Sequence, residues 1–130
     1  MADVILVKPH QRSANTAQTL GMVRQAGIAP DVSGSKGLWM GYVAAPPGPS
    51  DPHHHGDAES GISVVKGHVR LYFGARLEKQ VEARPGDFLY VPHNTVHLEE
   101  NLTKEPAELI VARNSAAFMV VNVPDPRKRP

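Results

Sequence analysis

The chain contains no cysteine. That excludes disulfides, thiolate nucleophiles and cysteine-based zinc sites, so any metal must be held by histidine, carboxylate or water. Aromatic residues are few, with one Trp, three Tyr and three Phe in 130 residues, which makes each of them valuable core material. No long apolar run is present. Near the N-terminus Val4 to Val7 form a run of four, too short for a signal-peptide core or a membrane-spanning helix. Charge of one sign is lacking as well. The formal net charge is +1, so no basic or acidic field argues for nucleic acid or a membrane surface. These absences lead us to expect a soluble, cytoplasmic protein with no nucleic-acid or membrane partner.

What is present fits one domain with one core, given 130 residues of which 41% are hydrophobic. The apolar runs are short and rich in β-branched and aromatic residues. They fall at 4–7, 37–45, 62–65, 69–73, 87–91, 95–98, 107–113 and 118–123. Eleven glycines and twelve prolines lie largely between them and punctuate the chain. Many short strands with frequent turn signals predict an all-β sandwich or barrel. Val69, Leu71 and Phe73 alternate with Arg70 and Tyr72, the pattern of a half-buried strand. The segment 13–28 reads either as a helix capped by Ser13 or, over residues 22–28, as a strand. Gly21 and Gly27 favour the strand.

Chemistry concentrates in Ser50 to Gly61, where His53, His54 and His55 stand in a row and Glu59 follows. In an extended strand, residues two apart share a face. His53 and His55 then converge and His54 points away, while Glu59 could bend back to supply a carboxylate oxygen. Imidazole and carboxylate together suit Mn, Fe, Ni, Cu or Zn rather than calcium or magnesium. A further ligand must come from elsewhere. The stretch Pro85 to Asn101 offers His97, on a strand that follows two tight turns.

The two stretches resemble the two motifs of the cupin superfamily. Gly48, His53, His55, Glu59 and Gly67 match the first, and Gly86, Pro92, Asn94, His97 and Asn101 match the second. The spacing departs from the pattern. Gly48 to His53 is one residue short, and Glu59 sits one place early relative to Gly67. Either the strand bulges to bring Glu59 round, or His54 replaces a neighbour as ligand. Asn94 stands where the pattern has glycine, and Asn tolerates the left-handed backbone of a tight turn.

The resemblance implies an antiparallel double-stranded β-helix, a jelly-roll barrel with a metal near one mouth. It implies one cupin domain over residues 1–130, with a barrel core at about 20–123 and a flexible basic tail at 124–130. It implies His53, His55, Glu59 and His97 as ligands of one divalent transition metal (Fe, Mn, Ni, Cu or Zn). The leading expectation for function is a mononuclear metalloenzyme of dioxygenase type acting on a small organic molecule. The alternatives are an isomerase or lyase on a chelating substrate, or a metabolite- or metal-binding barrel without turnover. A homodimer is expected, with the Val4–Val7 run as a swapped strand that protects an edge.

Glu99 lies two residues beyond His97 and shares its face in a regular strand. Beside a metal it could act as a general base. Arg70 and Tyr72 read as an outer sheet face. Trp39, Met40 and Tyr42 read as core or interface, and Asn101 as a brace for a turn.

Overall fold

The computed structural model describes residues 3–117 and 120–128, and its regular structure is almost all strand. Two antiparallel sheets carry the fold. The larger contains β1 (Val23–Ile28), β2 (Trp39–Ala45), β5 (Ser60–Lys66), β8 (Phe88–Val91) and β10 (Ala107–Arg113), in the order β1-β2-β10-β5-β8. The smaller contains β3 (Gly48–Pro49), β6 (Val69–Phe73), β7 (Lys79–Ala83) and β9 (Leu98–Asn101), in the order β3-β9-β6-β7. A short pair, β4 (His53–His54) with β11 (Val121–Asn122), lies outside both. The order interleaves strands distant in sequence, as a jelly roll does.

Alternation decides which side chains face in. Along β10, Ala107, Leu109, Val111 and Arg113 are buried while the residues between them are half-exposed. Val43, Ile62, Val64 and Leu109 from the large sheet meet Val69, Leu71 and Ala83 from the small one in a single core. Each such buried aliphatic side chain contributes about 1.5–3 kcal/mol relative to exposure. Gly41 on β2 has no side chain for a packing reason. A Cβ there would overlap the Trp39 ring and lie 2.7 Å from the Gln25 carbonyl oxygen. Trp39 is consequently 1% exposed and seals one end of the core.

One expectation needs correction. The Val4–Val7 run forms no strand, and Val4 and Leu6 are 99% and 74% exposed. The free side of β1 is instead met by Ser13, which exchanges both backbone hydrogen bonds with Ala26 (2.9 and 2.7 Å). The strand expected at 22–28 forms as β1. In addition, β7 carries no apolar run. Its first four residues are exposed because it is an edge strand of the smaller sheet. Of the expected strand at 118–123, residues 118 and 119 lie outside the described residues, and 121–122 pair with β4.

Candidate metal centre

His53 and His97 are cross-strand neighbours. Each backbone N–H donates to the other's carbonyl, at 3.0 and 2.9 Å. His55 follows two residues after His53, and its ring approaches both others, with centroids 5.0 Å from His53 and 5.3 Å from His97. All three imidazoles are buried, and their candidate ligand nitrogens lie within 4.8 Å of one another. Tight turns deliver His97. Asn94 adopts φ 51°, the left-handed conformation that asparagine tolerates in place of glycine.

Hydrogen bonds fix which nitrogen of each ring is available. His53 Nδ1 lies 2.7 Å from the Asp51 carbonyl oxygen and His97 Nδ1 lies 2.8 Å from that of Thr95. A carbonyl only accepts, so each Nδ1 carries a proton, and Nε2 is the nitrogen that turns towards Glu99. An Arg113 N–H donates to His55 Nε2 at 2.8 Å, so that nitrogen also accepts. Burial pushes the His53 pKa down to about 4, against the opposing effect of Glu99, which leaves this ring neutral at pH 7.

Glu99 completes the cluster. Its two carboxylate oxygens lie 3.4 Å from His53 Nε2 and 3.3 Å from His97 Nε2. Burial opposes the charge of Glu99, but the surrounding imidazoles and the Arg24 guanidinium outweigh it and hold its pKa well below the usual carboxylate range. Ser50 braces it, its hydroxyl donating to Glu99 Oε2 at 3.2 Å. The Nε2 atoms of His53 and His97 thus face the two Glu99 oxygens, and a cation among them would take nitrogen and carboxylate donors together. The donor set fits one divalent transition metal.

Glu59 is not part of this arrangement. β5 begins at Ser60, which faces in, so the residue before it faces out. The exposed Glu59 carboxylate accepts hydrogen bonds from the Tyr90 hydroxyl and from Asn114 Nδ2. The carboxylate among the histidines comes from the second stretch, at Glu99, rather than from the first. His54 also stays outside, its Nδ1 accepting from the Gly56 N–H at 3.0 Å. Arg70 and Tyr72 bond to each other, to Glu82 and to Glu100, away from the cluster. Asn101 braces a turn, donating to the carbonyls of Ala45 (2.9 Å) and Glu105 (2.6 Å).

Comparison with known proteins now decides the family. A model of the cupin domain matches residues 41–113, more than half of the chain. The chain belongs to the cupin family. No protein of curated function matches it significantly. Among solved structures, this cupin is similar to oxalate oxidase in complex with the substrate analogue glycolate, at TM-score 0.74 and 23% identity over 91% of this chain and 63% of that one. It is also similar to oxalate decarboxylase from Bacillus subtilis, at TM-score 0.71 and 19% identity over 82% of this chain and 28% of that one. A further structure of that decarboxylase, which concerns its Mn(II) centres, matches at TM-score 0.73 and 18% identity over 88% of this chain and 30% of that one. The cupin thus spans less than two thirds of these neighbours. At such identities the likeness establishes the fold.

The sequence reading missed two residues of the centre. Arg24 is 1% exposed and donates to Thr19 Oγ1 at 2.7 Å, with its other terminal nitrogen 3.5 Å from His53 Nε2. Arg113 is 4% exposed and stacks towards Trp39, its guanidinium carbon 5.7 Å from the ring. Burial and the charge of Arg24 push the Arg113 pKa down to about 9, which leaves it charged at pH 7. Strand parity carried the signal. Arg113 shares its face with Leu109 and Val111, and Arg24 shares its face with Ala26.

Proposed function

We propose that this cupin is a mononuclear metalloenzyme of dioxygenase type, in which His53, His55, His97 and Glu99 hold the metal and a small organic molecule chelates it. The convergence of three imidazole nitrogens and one carboxylate in a buried pocket carries the reading. When bound, a redox-active ion there would polarise a chelating substrate and exchange electrons with O2. Glu99 acts as a ligand in this reading rather than as a free base, because both of its oxygens are directed at imidazole nitrogens. Ser50 and the carbonyls of Asp51 and Thr95 keep these ligands oriented. A cleft of about 430 Å³ lined by Leu71, Phe73, Leu89, Val91 and Thr95 reaches His97 and offers an apolar route in. The neighbouring oxalate oxidase is an oxidoreductase by name, although its likeness to this chain is one of fold.

The test is elemental analysis of untagged protein followed by O2-uptake assays with chelating acids. About one redox metal per chain with substrate-dependent O2 uptake is expected. Zinc alone without O2 uptake would favour a lyase or isomerase, and no metal after reconstitution would contradict the reading. We also propose a homodimer formed through the outer face of the large sheet, where Val23, Met40, Val65, Phe88 and Tyr90 are exposed. Sedimentation of the purified chain tests this, and a monomer at micromolar concentration would contradict it.

A further inference from the structure

The two sheets part along one side of the barrel. β7 and β8 each end the strand order of their sheet, and among the described residues neither has a strand on its far side. Cross-strand pairing fixes which of their side chains face in. Val81 pairs with Leu71 and Ala83 with Val69, so Val81 belongs to the inner face of the small sheet. Leu89 pairs with Ile62 and Val91 with Ser60, so Leu89 and Val91 belong to the inner face of the large one. Leu71, Ala83, Ile62 and Val91 are buried accordingly. Val81 shares the inner side but is 42% exposed, and Phe73 and Leu89 are only half-buried. Apolar side chains that face the barrel interior are thus left uncovered at one place.

That place is the cleft of about 430 Å³ that reaches His97. Leu71, Phe73, Val81, Leu89 and Val91 form its wall, and no Asp, Glu, Lys or Arg lines it. Thr95 is one of its few polar residues, and its hydroxyl is already engaged, donating to the His93 carbonyl at 3.2 Å. An apolar cavity of about 150 Å³ is enough to hold benzene. This cleft therefore has room for a ring-sized group in addition to a chelating group beside His97. A ligand that consists of a chelating group alone leaves the apolar wall in water.

We propose that the molecule taken by the metal centre carries an apolar substituent, an aryl or branched alkyl group, which fills the cleft between β7 and β8. Its chelating group lies on the metal beside His97, and its substituent lies against Phe73, Val81 and Leu89. Affinity from the substituent grows with the apolar area it removes from water. The same wall sets specificity, because a second charged group placed there loses its water and finds no partner. This inference rests on the metal reading above. It names the substrate class for that site.

The experiment is calorimetric titration of Mn(II)-loaded protein with lactate and with 3-phenyllactate, alongside Mn(II) content. The two acids share one chelating group and one charge and differ by a phenyl ring. The wild type is expected to bind 3-phenyllactate at least about 10-fold more tightly than lactate. Leu89→Trp fills the cleft and should lose at least about 10-fold in 3-phenyllactate affinity while lactate affinity stays within about 2-fold of the wild type. Val81→Asn, at an edge-strand position, should lose about 3-fold for 3-phenyllactate alone. Mn(II) content should stay at the wild-type level in both variants, since their chains keep the four ligands. Equal affinity for the two acids in the wild type overturns the inference without reference to any variant. So does a Leu89→Trp protein that takes up Mn(II) and still prefers 3-phenyllactate as the wild type does. A wild-type preference that shrinks as protein concentration rises means that a second copy of the chain covers the cleft, and it overturns the inference as well. Mn(II) uptake without binding of either acid overturns the inference and leaves the metal reading intact. No Mn(II) uptake by the wild type overturns both.

Discussion

Glu59 and Glu99 belong to the two halves of one sequence pattern and end in opposite environments. Glu59 lies at the surface, held by Tyr90 and Asn114. Glu99 is 6% exposed, with its two oxygens against two imidazoles. Composition does not separate them, and each follows a histidine by an even number of residues, four for Glu59 and two for Glu99. Strand parity separates them. Glu99 is two residues from His97 in an extended segment and shares its face. Glu59 precedes the inward-facing Ser60 by one residue, and a shift of one position moves a side chain to the other side of a sheet.

Four perturbations sharpen that contrast. The largest effect is expected from His97→Ala, which removes a proposed ligand with its orienting hydrogen bond. Metal affinity should fall at least about 100-fold while the circular dichroism spectrum stays that of a folded β protein. Next, Ser60→Glu placed on a Glu99→Gln background returns a carboxylate to the inward position of β5. Metal affinity should rise at least about 10-fold above that of Glu99→Gln alone, read by competition with a chelator. No recovery would mean that the face of β5 does not decide the matter. Gly41→Ala tests the packing behind the centre. The added methyl collides with the Trp39 ring and should cost about 1–3 kcal/mol in urea unfolding. The smallest effect is expected from Tyr90→Phe, which releases Glu59 at the surface. Metal content should not change, and the melting temperature should move by less than about 3 °C.

Much of this molecule was legible from residue patterns. The runs at 62–65, 69–73 and 107–113 all lie within strands, because alternation over a half-buried sheet writes itself into the sequence. The three histidines were legible because imidazoles at such spacing carry their own chemistry. β7 was not, since an edge strand needs few apolar residues to keep its place. The Val4–Val7 run misled in the opposite direction. Its composition suits a strand, but the partner edge on β1 is met by Ser13. Glu59 was expected among the ligands and lies at the surface instead, as motif spacing does not state on which residue β5 begins to alternate. Arg24 and Arg113 escaped notice because charged residues at strand ends are usually solvated, although their parity with buried neighbours already placed them on the inner face.

Metal content of the wild type, Glu59→Gln and Glu99→Gln, reconstituted with Mn(II) and desalted in parallel, tests the central claim most directly. The account predicts about one equivalent in the wild type and in Glu59→Gln, and a loss of most of it in Glu99→Gln. Retention in Glu99→Gln with loss in Glu59→Gln would contradict the account and return the ligand role to the first stretch.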